Sequence, residues 1–241
     1  MSRTQKNSES DNPATKFIKL SGSTGKFGYW DKEAENDKGE KGKTMELEYP
    51  IIFLPLDVLV TIKGFNKKDD SGIYSNEVHN IKTETLNVRI FGHDEIATGL
   101  YANIKSVVKE AGGKFANSVY GMMYDEDDNP EIVNFQFYGA SLSPFIEYQK
   151  EMGENGIYGS AISIVGVAPA KIGIISYYIP TFTSKEVSKE SSDKANEKDK
   201  ELQVYLKRYK TGELEPKDEE EKSDEKPAED EKKPDVKEIP F

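Results

Sequence analysis

Strict alternation governs the middle of the chain. In Thr85–Phe91, Leu86, Val88 and Ile90 fall on one face, and Thr85, Asn87, Arg89 and Phe91 on the other. Successive side chains of a strand point to opposite sides, so a period of two with β-branched and aromatic enrichment marks a half-buried strand. Similar runs recur at Lys26–Trp30 and at Thr44–Leu56, where Met45, Leu47 and Tyr49 alternate before both faces turn apolar. Asn117–Tyr124 and Glu131–Ala140 read as a hairpin around the acidic turn Asp125–Pro130, and Ser160–Val167 and Lys171–Phe182 as another around Ala168–Ala170. The chain is therefore mainly β.

Helical spacing interrupts this pattern in three places. From Asp94 to Gly113, Ile96, Leu100, Ile104, Val107, Val108 and Ala111 form one apolar stripe, with Asp94 as N-cap and Gly112 as stop. Ser143–Gly153 predicts a shorter helix, and Asp193–Gly212 a third with Leu202, Tyr205, Leu206 and Tyr209 on one side. Many short strands with one packed central helix fit an OB-like Greek-key barrel carrying an added hairpin and two or three peripheral helices. The strand count fits a sandwich as well.

Charge is distributed unevenly. The 241 residues carry a net charge of −11. From Glu213 to Phe241 there are 13 acidic residues and 6 lysines, a net −7, which leaves −4 for residues 1–212. That acidic segment has too little apolar surface to offset the entropy of ordering, so 213–241 reads as a disordered tail. Residues 1–15 are polar and read as a flexible N-terminus, and 16–212 as the folded domain with a C-terminal helix. No repeat is evident.

Several functions lack their residues. There is no cysteine, which rules out disulfides and thiolate metal sites and permits a reducing cytosol. The N-terminus has no secretory signal, and the apolar run Tyr49–Val60 is too short and too broken by prolines and Asp57 to cross a bilayer. These features read as a soluble, intracellular protein with no membrane partner. Gly22–Gly28 is not a phosphate loop: the glycine spacing is short, and Phe27 stands where a hydroxyl would hold magnesium. Asp125–Glu131 is not a calcium loop, since Pro130 replaces the turn glycine and Gln136 the bidentate glutamate. His79 and His93 have no metal-ligand spacing. No nucleophile–base pair is visible, so neither catalysis, a metal nor a cofactor is expected.

What remains is cations interleaved with rings. Thr61–Glu84, read as a connection between strands, holds Lys63, Lys67, Lys68 and Lys82 with Phe65 and Tyr74. Cations can track the phosphates of a single nucleic-acid strand while rings stack on its bases. The competing reading is that Phe65 and Tyr74 anchor the loop to the core. Arg89 and Phe91 share a face of their strand, Tyr120, Met122 and Tyr124 share another, and Lys26 and Trp30 a third. Each ring taken alone fits a core position under a helix; the pattern across several strands fits a binding platform. Asp31–Thr44 is a charged front loop, either closing over a bound strand or an idle hairpin tip.

The final residues, Glu238, Ile239, Pro240 and Phe241, follow the acidic run. This ending resembles the tip of bacterial and phage single-stranded DNA-binding proteins. Thr61–Phe65, Ser71–Val78, Gly99–Tyr120 and Asn134–Tyr148 are similar to segments of phage-encoded members. The resemblance covers roughly Lys16 to Phe182 plus the tail. It implies an OB-type core, sequence-independent binding of single-stranded DNA in replication, recombination or repair, and a host bacterial cytoplasm. It also implies recruitment of replication or recombination proteins (polymerase, helicase, primase or nuclease) through the tip. The chain departs from the bacterial type in lacking its long Gly/Gln/Pro linker and in its extra helices. A flexible tail of this length reaches about 30 Å. Phe241 offers a ring and a terminal carboxylate together, and Pro240 limits the freedom lost on docking. The second reading is a non-enzymatic structural or scaffolding protein, virion-associated proteins included.

Overall fold

The computed structural model describes residues 12–36, 39–93, 95–153 and 156–210. Its strands are β1 (Ala14–Leu20), β2 (Phe27–Glu35), β3 (Lys41–Glu46), β4 (Ile51–Asn66), β5 (Ser71–Ser75), β6 (Leu86–Ile90), β7 (Glu95–Gly99), β8 (Gly113–Tyr124), β9 (Pro130–Tyr138), β10 (Ala161–Ile172) and β11 (Ile175–Lys185). The helices are α1 (Tyr101–Ala111), α2 (Leu142–Met152) and α3 (Lys189–Lys210).

The strands form one open mixed sheet in the order β3-β2-β1-β9-β8-β4-β5-β6-β7, with β10 joining the start of β4 and β11 pairing β10. Among the described residues only β1 and β9 run parallel. No closed barrel is found, which corrects the barrel expectation: among the described residues β3 and β7 stand at opposite ends of the strand order. Alternation tells which side of a strand is buried, but not which strand lies beside it.

The sheet's two faces are covered unequally. On the back, Phe27, Phe53, Phe135, Phe137 and Phe145 form the centre of the largest apolar cluster, joined by Ile18, Val119, Ile162 and Ile164. Phe53 and Phe135 stack with centroids 4.1 Å apart, and Phe137 and Phe145 at 4.3 Å. Each such ring, fully buried, contributes about 1.5–3 kcal/mol. Further along the back, Ile62, Ile73, Leu86, Val88 and Ile90 pack on Ile104 and Val108 of α1. Gly112 ends α1 at φ 102°, where its N–H reaches the carbonyls of Val108 and Lys109; only glycine takes this left-handed cap without strain. On the front, α3 lays Leu202 and Leu206 over Leu56, Leu59, Tyr120, Met122 and Ile132.

Several element expectations change. Residues 95–99 are strand β7, paired with β6, so α1 starts at Tyr101 rather than at Asp94, which lies outside the described residues. The stripe of Ile104 and Val108 holds, while Val107 is exposed. Thr44–Leu56 is two strands, not one, separated at residues 47–50. Thr61–Glu84 is no plain loop: its first part completes β4 and its middle is β5. The β10–β11 hairpin turns at Gly173 and Ile174 instead of Ala168–Ala170, and α3 begins at Lys189. Asp31–Thr44 is the β2–β3 hairpin. At the N-terminus β1 begins at Ala14, inside the stretch expected to be flexible. The tail expectation for 213–241 lies outside the described residues. Among the described residues, no helix is long and apolar enough to cross a membrane.

Candidate nucleic-acid interface

Back-face burial decides what the front carries. Because Ile62, Ile73 and Val88 face α1, their neighbours Lys63, Tyr74 and Arg89 face the other way. Register then aligns them. Lys114 lies opposite Lys63, Lys63 opposite Tyr74, and Tyr74 opposite Arg89. The row crosses four adjacent strands and spans about 14 Å, three strand spacings. One step along, Phe65 stands opposite Gly72, and the Phe91 N–H donates to the Gly72 carbonyl at 2.8 Å. A Cβ on Gly72 would meet nothing within 4 Å, so the space between the positions of these two rings is open.

The row is held in place by polar contacts at its rim. Asn87 Oδ1 accepts from Arg89 Nε at 3.1 Å, while the Asn87 N–H donates to Asn76 Oδ1 at 2.7 Å. Arg89 is exposed, although Glu95 lies opposite it on β7. Lys63 and Lys114 are cations directly opposite each other, an arrangement that costs stability in a sheet. Neither is joined to a carboxylate by an ion pair among the described residues. A bound anion would relieve that repulsion.

Glu77 lies within electrostatic reach of Lys63, and its carboxylate is turned inward. Its carboxylate accepts the hydroxyls of Ser118 and, at 2.8 Å, Tyr120. Burial pushes the Glu77 carboxyl above its ordinary value; the two hydroxyls and Lys63 pull it down without cancelling the shift. The folded state therefore holds this proton more tightly than the unfolded chain. Its stability contribution is greatest below the unfolded carboxylate range, around pH 4, and falls as pH rises through the raised folded value. Glu77→Gln is expected to melt higher than the parent by a margin that is small near pH 4 and widens toward pH 7. Parallel thermal unfolding would show this; a margin independent of pH would contradict it.

The other sequence candidates are scattered. Lys67 and Lys68 are exposed in the β4–β5 turn, which Asn66 Oδ1 organises by accepting the N–H groups of Lys68 and Asp69. Lys82 is exposed in the turn before β6. Lys26 and Trp30 share the front face, since Gly28 registers with Lys19, Gln136, Ser118 and Leu59 in turn. Five strands nevertheless separate β2 from β6. Trp30 leans on Gly42, where a Cβ would stand 2.3 Å from the ring, and Lys26 pairs with Glu48 at 3.0 Å. Tyr120 and Tyr124 do share a face, but α3 covers it. Tyr120 is 1% exposed, and the Tyr124 hydroxyl meets Ser191 Oγ at 3.1 Å with Lys194 above its ring. These two tyrosines pack in the core beneath α3 rather than on an open platform.

The end of α3 marks the border of the uncovered front. Lys210 Nζ lies 2.5 Å from His79 Nδ1, and His79 Nε2 lies 2.9 Å from Asp57 Oδ2. An ammonium only donates, so Nδ1 accepts and Nε2 carries the hydrogen directed at Asp57. Gln203 Nε2 adds a bond to Asp57 at 3.1 Å, and Tyr209 accepts the Glu77 N–H. Beside this anchor is a cleft of ≈ 440 Å³ whose charged linings, among the described residues, are Asp57 and Asp199. Its charge repels phosphate, so this cleft does not suit an anion. Among the described residues there is no group of three or more His, Asp or Glu placed to hold a metal.

The sequence pattern marks this strand only from Asn117, so Lys114 is not among its candidates; its place opposite Lys63 follows from topology, not spacing. Comparison with family models, curated proteins and solved structures finds no match for the chain.

Proposed function

We propose that the protein binds single-stranded DNA without sequence preference through the front of β8, β4, β5 and β6. The observation that carries this is the row Lys114–Lys63–Tyr74–Arg89, flanked by Phe65 and Phe91, on the part of the front that lies beyond the residues packed under Leu202 and Leu206 of α3. Cations for phosphates and rings for bases, with no fixed hydrogen-bond reader, suit any single strand. Lys67 and Lys68 lie in the turn beside the row, where Asp69 and Asp70 follow them. The test is anisotropy of a labelled oligothymidine against a duplex of the same length. Preference for the single strand supports the reading, and equal or absent binding overturns it.

The acidic segment from Glu213 is proposed, on its sequence alone, to recruit replication or recombination proteins through Glu238–Phe241. Deleting Ile239–Phe241 is expected to abolish capture of those partners while leaving oligothymidine affinity unchanged or raised. Unchanged capture in a pull-down would count against it.

The second reading, a scaffolding protein, is favoured by the acidity of the whole chain and by the apolar β10–β11 hairpin. Failure to bind any nucleic acid at low salt would turn the balance to it.

A further inference from the structure

The distal β10–β11 hairpin is unlike the rest of the molecule. Residues 166–184 hold one charged residue, Lys171, in a chain that is 32% charged. Pairing sorts the side chains of this ribbon onto two faces. Pro169 lies opposite Tyr178 and Lys171 opposite Ser176; this face carries the one charge and meets the body at Tyr178, whose ring would be 2.7 Å from a Cβ on Gly25. The other face pairs Ala168 with Ile179, Ala170 with Tyr177, and Ile172 with Ile175. It carries no charge, Ile172 is 43% exposed, and Ile174 at the turn is 89% exposed.

We propose that this six-residue face is a contact for the same face of a second copy of the chain. Charge narrows the choice of occupant. Nucleic acid and anionic bilayers are held by clustered cations, and the hairpin has Lys171 alone. Backbone geometry narrows it further. Among the described residues β11 pairs only with β10, and β10 meets β4 only at Ile162–Ile164, so within them the distal hairpin has two open edges. Pro180 sits on one edge strand and Pro169 on the other, and a proline there points its missing N–H outward. An added strand would lose a ladder bond on either side, so the partner must meet the face and not an edge. Two copies at −11 each repel over most of their surface, and an uncharged flat face that matches itself about a twofold axis is where they can approach. Six side chains cover roughly a few hundred Å², below the ~800 Å² per partner of a stable complex. The contact is therefore weak, and the free chain is a monomer at low micromolar concentration. The proposal needs no nucleic acid, so its failure would leave the DNA reading untouched.

The absence of cysteine makes the test direct. Full-length chain bearing Ala170→Cys on the apolar face, or Ser176→Cys on the opposite face, is treated with a short bis-maleimide at rising concentration. The expected result is a covalent dimer from Ala170→Cys, little from Ser176→Cys, and on the order of tenfold less when Ile172→Asp is added to Ala170→Cys. Circular dichroism of each variant confirms that the fold is kept. Equal yields at the two positions, or no dimer from Ala170→Cys up to millimolar chain, overturn the proposal.

Discussion

Tyr74→Ala is expected to weaken oligothymidine binding by about 5- to 150-fold, the range for losing one stacked base at about 1–3 kcal/mol. Tyr74 sits centrally in the cationic row, between Lys63 and Arg89, on a strand whose opposite face is fixed by Ile73 against α1. Removing the ring leaves that anchoring intact, so the loss should appear in affinity and not in melting temperature. Trp30→Ala serves as the contrast. Trp30 is 38% exposed and shares the front face, but stands five strands away, so its removal should change affinity far less than removal of Tyr74. Equal losses at the two positions would mean that the strand runs across the whole front, and that the row is not its centre.

Phe135→Ala is expected to destabilise the protein by about 3–5 kcal/mol, the usual cost of emptying a buried aromatic site. Phe135 is fully buried and touches three rings: Phe53 stacked at 4.1 Å, Phe137 at 5.9 Å and Phe27 at 6.5 Å. Those rings come from β4, β9 and β2, so the cavity would loosen the sheet's centre together with the arm that carries β2. At about 2–4 °C per kcal/mol for a domain of this size, the melting temperature should fall by roughly 6–20 °C. Val204→Ala, at a position 63% exposed on α3, should leave it nearly unchanged. A small shift for Phe135→Ala would mean that the aromatic cluster does not carry the fold.

Sequence pattern revealed faces far better than it revealed neighbours. Leu86, Val88 and Ile90 are buried as their alternation requires, and Leu202 and Leu206 form the buried stripe of α3 as their spacing requires. The same logic misled at Ile96, Leu100 and Ile104, whose four-residue spacing mimics one helix across a strand–helix junction. Pairing of Glu95–Gly99 with β6 outweighed that local preference. The barrel expectation failed for a related reason, since closure depends on long-range partners that no period encodes. At the site, the grouping of Lys63, Tyr74 and Arg89 could be suspected from composition, but their alignment in one row is a property of register. Tyr120 and Tyr124 show the reverse case. They share a face as read, yet the helix that covers it begins more than sixty residues later in the chain.

The most direct test of the cationic row is the salt dependence of oligothymidine affinity for the parent chain and for a Lys63→Gln, Arg89→Gln, Lys114→Gln variant. Single-stranded binding loses a slope of about 0.7 in log K against log salt for each phosphate contact removed. The parent slope should therefore exceed that of the triple variant by roughly 2, with the variant melting no lower than the parent, since it loses the Lys63–Lys114 repulsion. An unchanged slope would place the phosphate contacts elsewhere and contradict the site.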